Sequence, residues 1–79
     1  MNLTLYHFET CPYCQRVRRY ITENHIDISW KDIWLNPEYR EELIKIGGKS
    51  QVPCLVIDGK ALYESLNIIK WLKTNFKKQ

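Results

Sequence analysis

The chain has 79 residues, 44% of them hydrophobic and 27% charged, with a formal net charge of +3. A chain this short buries only about 60% of the surface its unfolded form exposes, which excludes two independent cores and implies one domain over residues 1–79 with short connections. Met1 to Phe8 contain no basic start followed by an apolar run, and no stretch nears the roughly 18 apolar residues of a membrane span, so a cytoplasmic protein with no membrane partner is expected.

The basic residues fall in small groups, Arg16, Arg18 and Arg19 and then Lys70, Lys73, Lys77 and Lys78. Solvated helix faces account for them, so no nucleic-acid surface is expected. Three cysteines are too few for a disulfide scaffold, and two that lie close together point to redox or metal chemistry.

In chain order, Leu3 to Phe8 is apolar and aromatic without Gly or Pro and predicts a first strand. Pro12 suits the first turn of a helix, and Cys14, Val17 and Ile21 follow at the spacing of one inward face. Ile26, Ile28 and Trp30 alternate with Asp27, Ser29 and Lys31, the period of a strand with one buried face. Asn36-Pro37 predicts a helix start, Leu43 and Ile46 its core side, and Gly47-Gly48 its stop. Pro53 to Ile57, Asp58-Gly59 and Lys60 to Tyr63 form a hairpin pattern, because Asp-Gly accepts the positive φ of a type I′ turn. A last helix starts at Glu64 or Ser65, with Leu66, Ile69, Leu72 and Phe76 on its apolar side. The order β-α-β-α-β-β-α, with a right-handed crossover joining the first two strands, implies an α/β fold: a four-stranded mixed sheet with flanking helices.

Cys11-Pro12-Tyr13-Cys14 puts one thiol just before a helix and the other inside its first turn. Unpaired N–H groups and the macrodipole at that end favour a thiolate, so Cys11 is expected to be the exposed nucleophile and Cys14 the resolving thiol. No second Cys-X-X-Cys exists, and His7 and His25 lack a zinc-type spacing, so no metal site is expected. Cys54 is expected to pack as a small hydrophobe.

Glu9 to Cys14 together with Gln51-Val52-Pro53 resembles a dithiol glutaredoxin across nearly the whole chain, and Arg40 to Lys45 ahead of Gly47-Gly48 resembles that family's second helix. The resemblance implies a thioredoxin-like fold, a cis bond before Pro53, glutathione as co-substrate, and disulfide-bonded or glutathionylated proteins as substrates of a monomer. It also implies that Tyr13, Gln51, Val52 and Pro53 line a glutathione groove. Leu62-Tyr63-Glu64-Ser65 departs from the glutaredoxin pattern, and Glu64-Ser65 instead resembles the glutathione-binding pair of glutathione transferases. A helix N-terminus at Ser65 suits the γ-glutamyl carboxylate and Glu64 its ammonium, while N-capping by Ser65 is the structural alternative. Phe8 occupies a position where many glutaredoxins carry lysine; Arg40 matches a family position near the glycine carboxylate and is the candidate substitute that the resemblance implies, with a solvated helix arginine as the alternative. The competing functional readings are a dithiol electron donor reduced by a flavoprotein, and a carrier of a glutathione-ligated iron–sulfur cluster.

Overall fold

The computed structural model describes residues Asn2 to Phe76, so Lys77 and Lys78 lie outside the described residues. The elements are β1 (Leu3–His7), α1 (Pro12–Glu23), β2 (Ser29–Asp32), α2 (Pro37–Gly47), β3 (Cys54–Ile57), β4 (Lys60–Tyr63) and α3 (Ser65–Asn75). The sheet order is β2-β1-β3-β4. Strands β1 and β2 run parallel, as the intervening helix requires, and β1/β3 and β3/β4 are antiparallel. This is the expected thioredoxin-like arrangement.

Strand alternation divides the interior in two. Leu3 and Leu5 of β1 and Leu55 of β3 meet Val17 and Ile21 of α1 and Ile68 and Leu72 of α3 on one side of the sheet. Tyr6, Cys54 and Val56 point the other way and pack with Ile33 and with Leu43 of α2. Each connection is set locally. The Asn36 side chain accepts the Glu38 N–H and α2 ends at Gly48 with φ 83°, while Asp58 and Gly59 take φ 47° and 88° in the hairpin turn.

Three apolar patterns land differently from the expectation. Strand β2 covers only Ser29–Asp32; Ile26 enters the core from the preceding loop, and Trp30 is half exposed because β2 is an edge strand. In α2, Ile46 faces outward and Leu43 supplies the buried contact. In α3 the buried line is Ser65, Ile68 and Leu72, whereas Leu66 is exposed. Both candidate faces of α3 carry apolar residues, so the direction in which the chain leaves β4 selects the inner one.

Candidate functional site

Cys11 is the N-cap of α1, and its sulfur accepts the backbone N–H of Cys14 at 3.3 Å. It thus fills the place usually taken by a serine or aspartate oxygen. Pro12 at N1 has no N–H to satisfy, and the Cys14 N–H of the first turn meets this sulfur. The Cys11 N–H in turn donates to the Phe8 carbonyl at 3.2 Å, closing the loop that leaves β1. Cys11 is only 5% exposed, against the expected open position, and Cys14 is fully buried. Burial, reinforced by the hydrogen bond with Cys11, pushes the Cys14 thiol up to about 12, so it is held protonated near neutral pH. Burial likewise pushes Cys54 up to about 11 inside the second core, the packing role expected of it.

Six predicted binding residues, Tyr13, Gln51, Val52, Pro53, Glu64 and Ser65, line one cavity of about 650 Å³. Arg16, Leu66 and Asn67 complete its wall and were not anticipated. Leu66 follows the apolar spacing of a core residue, so its sequence gives no cue to a place in the site. The Val52–Pro53 bond is cis, as the resemblance implies. Gln51 Nε2 donates to Glu64 Oε1 at 3.1 Å, tying the loop before β3 to the start of α3. Glu64 has φ 72° and ψ 122°, a conformation that costs a non-glycine residue about 1–3 kcal/mol. Glu64, not Ser65, is the N-cap, and no side chain caps the helix. The first turn of α3 therefore keeps its N–H groups unclaimed by side chains, with Ser65 buried beside the cavity.

Arg40 lies apart from these residues, in a second cavity of about 500 Å³ lined also by Phe8, Ile33, Trp34, Pro37, Ser50 and Val52. Val52 borders both cavities. Phe8 stacks on Trp34 with ring centroids 3.9 Å apart and planes within 6°.

The loop carrying Cys11 is braced from α1. Gln15 Nε2 and Arg18 Nη2 both donate to the Glu9 carbonyl, at 3.0 and 3.2 Å, and Arg18 Nη1 lies 3.3 Å from His7 Nδ1. Burial, then the neighbouring Arg18 charge, lowers the basicity of His7, which keeps the ring neutral and able to accept from Arg18. His25 follows α1 with φ 53° and stands away from the cysteines. Among the described residues no cluster of His, Cys, Asp and Glu could hold a metal ion, and no helix is long and apolar enough to cross a membrane.

A mixed sheet of this order, with a Cys-X-X-Cys at the N-terminus of α1 and a cis-proline before β3, defines a thioredoxin-like domain with a thiol site. Residues 5–79 match the family model of the glutathione S-transferase N-terminal domain. The chain is 36% identical to glutaredoxin 3 of Escherichia coli K12 over 59 residues, covering 75% of this chain and 71% of that protein. It is also 36% identical to prostaglandin E synthase 2 of Danio rerio over 75 residues, covering 94% of this chain but 19% of that protein. Among solved structures, glutathione transferase Omega 3C from Trametes versicolor superposes with a TM-score of 0.84 at 32% identity, covering 99% of this chain and 35% of that one. The chain belongs to the glutathione S-transferase N-terminal domain family and is a relative of the glutaredoxins.

Proposed function

We propose that the chain is a glutathione-dependent thiol-disulfide oxidoreductase, acting in the cytoplasm on glutathionylated and disulfide-bonded proteins. The observation that supports this best is the Cys11–Cys14 pair, with its capped sulfur, in the turn whose Tyr13 borders the cavity that Glu64 and Ser65 line. Glutathione lies across this cavity as an extended peptide. Its γ-glutamyl carboxylate meets the N–H groups of α3, its ammonium meets Glu64, and its cysteine pairs with the backbone of Val52, which precedes the β3 ladder. Tyr13, Gln51 and Pro53 complete the walls, and Arg40 meets the glycine end.

The Cys11 thiolate attacks the glutathione sulfur of a mixed disulfide. A Cys11–glutathione bond forms as the old S–S bond breaks, and the departing protein thiolate takes a proton from water. A second glutathione thiolate attacks the bound glutathione sulfur, releasing glutathione disulfide and restoring Cys11. For a protein disulfide, Cys11 instead becomes linked to the protein. Cys14 passes its proton to the departing protein thiolate as its sulfur attacks Cys11 Sγ, which releases the reduced protein, and two glutathione molecules reduce the resulting Cys11–Cys14 disulfide as they become glutathione disulfide. Because Cys14 is held as a thiol, resolution by free glutathione is the faster route for small mixed disulfides.

The test is turnover of a small glutathione mixed disulfide with glutathione as sole reductant, coupled to glutathione reductase. Dependence on a thioredoxin-reductase-type flavoprotein, or conjugation of glutathione to an electrophile without disulfide turnover, would overturn the proposal.

A further inference from the structure

Two cavities meet at Val52, and they differ in chemistry. The one beyond Val52 from Glu64 and Ser65 is walled by the rings of Phe8 and Trp34, with Ile33 and Pro37 beneath and Arg40 at its side. Phe8 and Trp34 form one aromatic wall. Their rings are stacked, and the Trp34 turn is fixed by Asp32 Oδ1, which accepts from the N–H groups of Trp34 and Leu35 at 2.8 and 3.0 Å. Trp34 remains 64% exposed despite covering Phe8, so much of the indole is open to a further ring. Large exposed aromatics held by their own loop are what peptide-binding surfaces use as anchors. Among the described residues, the ion pair is Lys31–Glu42, so Arg40 has no carboxylate partner.

We propose that the groove continues past the glutathione position, and that this chain favours disulfide substrates whose reactive cysteine is followed by an aromatic residue. This rests on the orientation given above, in which the γ-glutamyl end points to α3 and the chain runs across Val52 toward Arg40. A residue after the cysteine then lies beside Trp34. Glycine leaves that ring bare; an aromatic side chain stacks on it while the following carboxylate or backbone reaches Arg40. The chemistry is unchanged. Cys11 thiolate attacks the cysteine sulfur of the bound peptide, the partner thiol leaves with a proton from water, and Cys14 or glutathione resolves the new disulfide.

The experiment compares mixed disulfides of γ-Glu-Cys-Gly and γ-Glu-Cys-Phe with 2-mercaptoethanol, with glutathione and glutathione reductase in excess. The two share the γ-glutamyl end and the leaving thiol, so only the third residue differs. The expected result is a kcat/KM about tenfold higher for the phenylalanine peptide, falling to near parity in Trp34→Ala and retained in Trp34→Tyr. Equal turnover of the two peptides by the unsubstituted chain, or an unchanged ratio in Trp34→Ala, would overturn the proposal while leaving the oxidoreductase reading intact. Failure to turn over either peptide would instead overturn both.

Discussion

The backbone N–H of Cys14 points at the sulfur of Cys11 from 3.3 Å, so Cys14 hydrogen-bonds to Cys11 through its main chain while its own thiol is buried. One turn of helix thereby gives two chemically similar groups different surroundings. A main-chain donor survives substitution of the Cys14 side chain by serine or alanine, which separates the two cysteines experimentally.

Cys11→Ser should reduce turnover of every disulfide substrate to below about 1% of the starting rate, because a hydroxyl at this position does not ionise to a usable nucleophile near neutral pH. Cys14→Ser should retain reduction of glutathione mixed disulfides and lose most reduction of protein disulfides, which need an internal resolving thiol. Parallel assays on a glutathionylated peptide and a protein disulfide check this; equal loss of both activities would contradict the assigned roles.

Glu64 combines a charged hydrogen-bond acceptor with a positive φ, and the two properties can be separated. Glu64→Gln should raise the glutathione KM several-fold with little change in Tm, since a charged contact worth about 1.5–3 kcal/mol is weakened. Glu64→Gly should relieve backbone strain, raising stability by about 1 kcal/mol in urea unfolding while also raising KM. A more stable Glu64→Gly chain with an unchanged KM would show that the ammonium is read elsewhere.

Gln15 and Arg18 hold the Glu9 carbonyl and so fix the loop from which Cys11 projects. The double change Gln15→Ala/Arg18→Met should lower kcat more than it raises KM, because the cavity proposed for glutathione does not include these side chains. Protonating His7 removes the acceptor that faces Arg18, so Arg18→Met should also alter the acid limb of the pH–rate profile. A change confined to Tm, with kcat and the pH profile intact, would reduce the clamp to a purely structural contact.

Buried thiols also lower stability on the alkaline side. The folded chain keeps the Cys54 proton to about pH 11 and the Cys14 proton to about pH 12, whereas an unfolded chain releases both near the ordinary value of 9.0. Below pH 9 the thiols are protonated in both states and their contribution is fully present. As pH rises further, the unfolded state gains by ionising, and stability falls by about 1.4 kcal/mol per pH unit for each thiol. Urea midpoints measured from pH 8 to 11 should show this decline, and Cys54→Ala should make it shallower.

The sequence by itself determined the order of elements and the placing of the Cys11-X-X-Cys14 pair at the start of a helix, because both are local. Pro12 after Cys11, Asn36-Pro37, Gly48 and Asp58-Gly59 act on backbone dihedrals and caps within a few residues, so their effect can be read where they stand. The strand pattern placed β1, β3 and β4 and began too early at β2, an edge strand whose Trp30 is half exposed and whose approach carries Ile26 into the core. Only the tertiary structure decided which side of α3 is buried, since Leu66 and Ile68 are equally apolar and the turn at Glu64 chooses between them. The same is true of the hydrogen bond from Gln51 to Glu64, the stacking of Phe8 on Trp34, and the placing of Val52 between two cavities. These relationships join residues brought together by sheet order and helix packing, and spacing along the chain carries no record of a contact that folding makes across it.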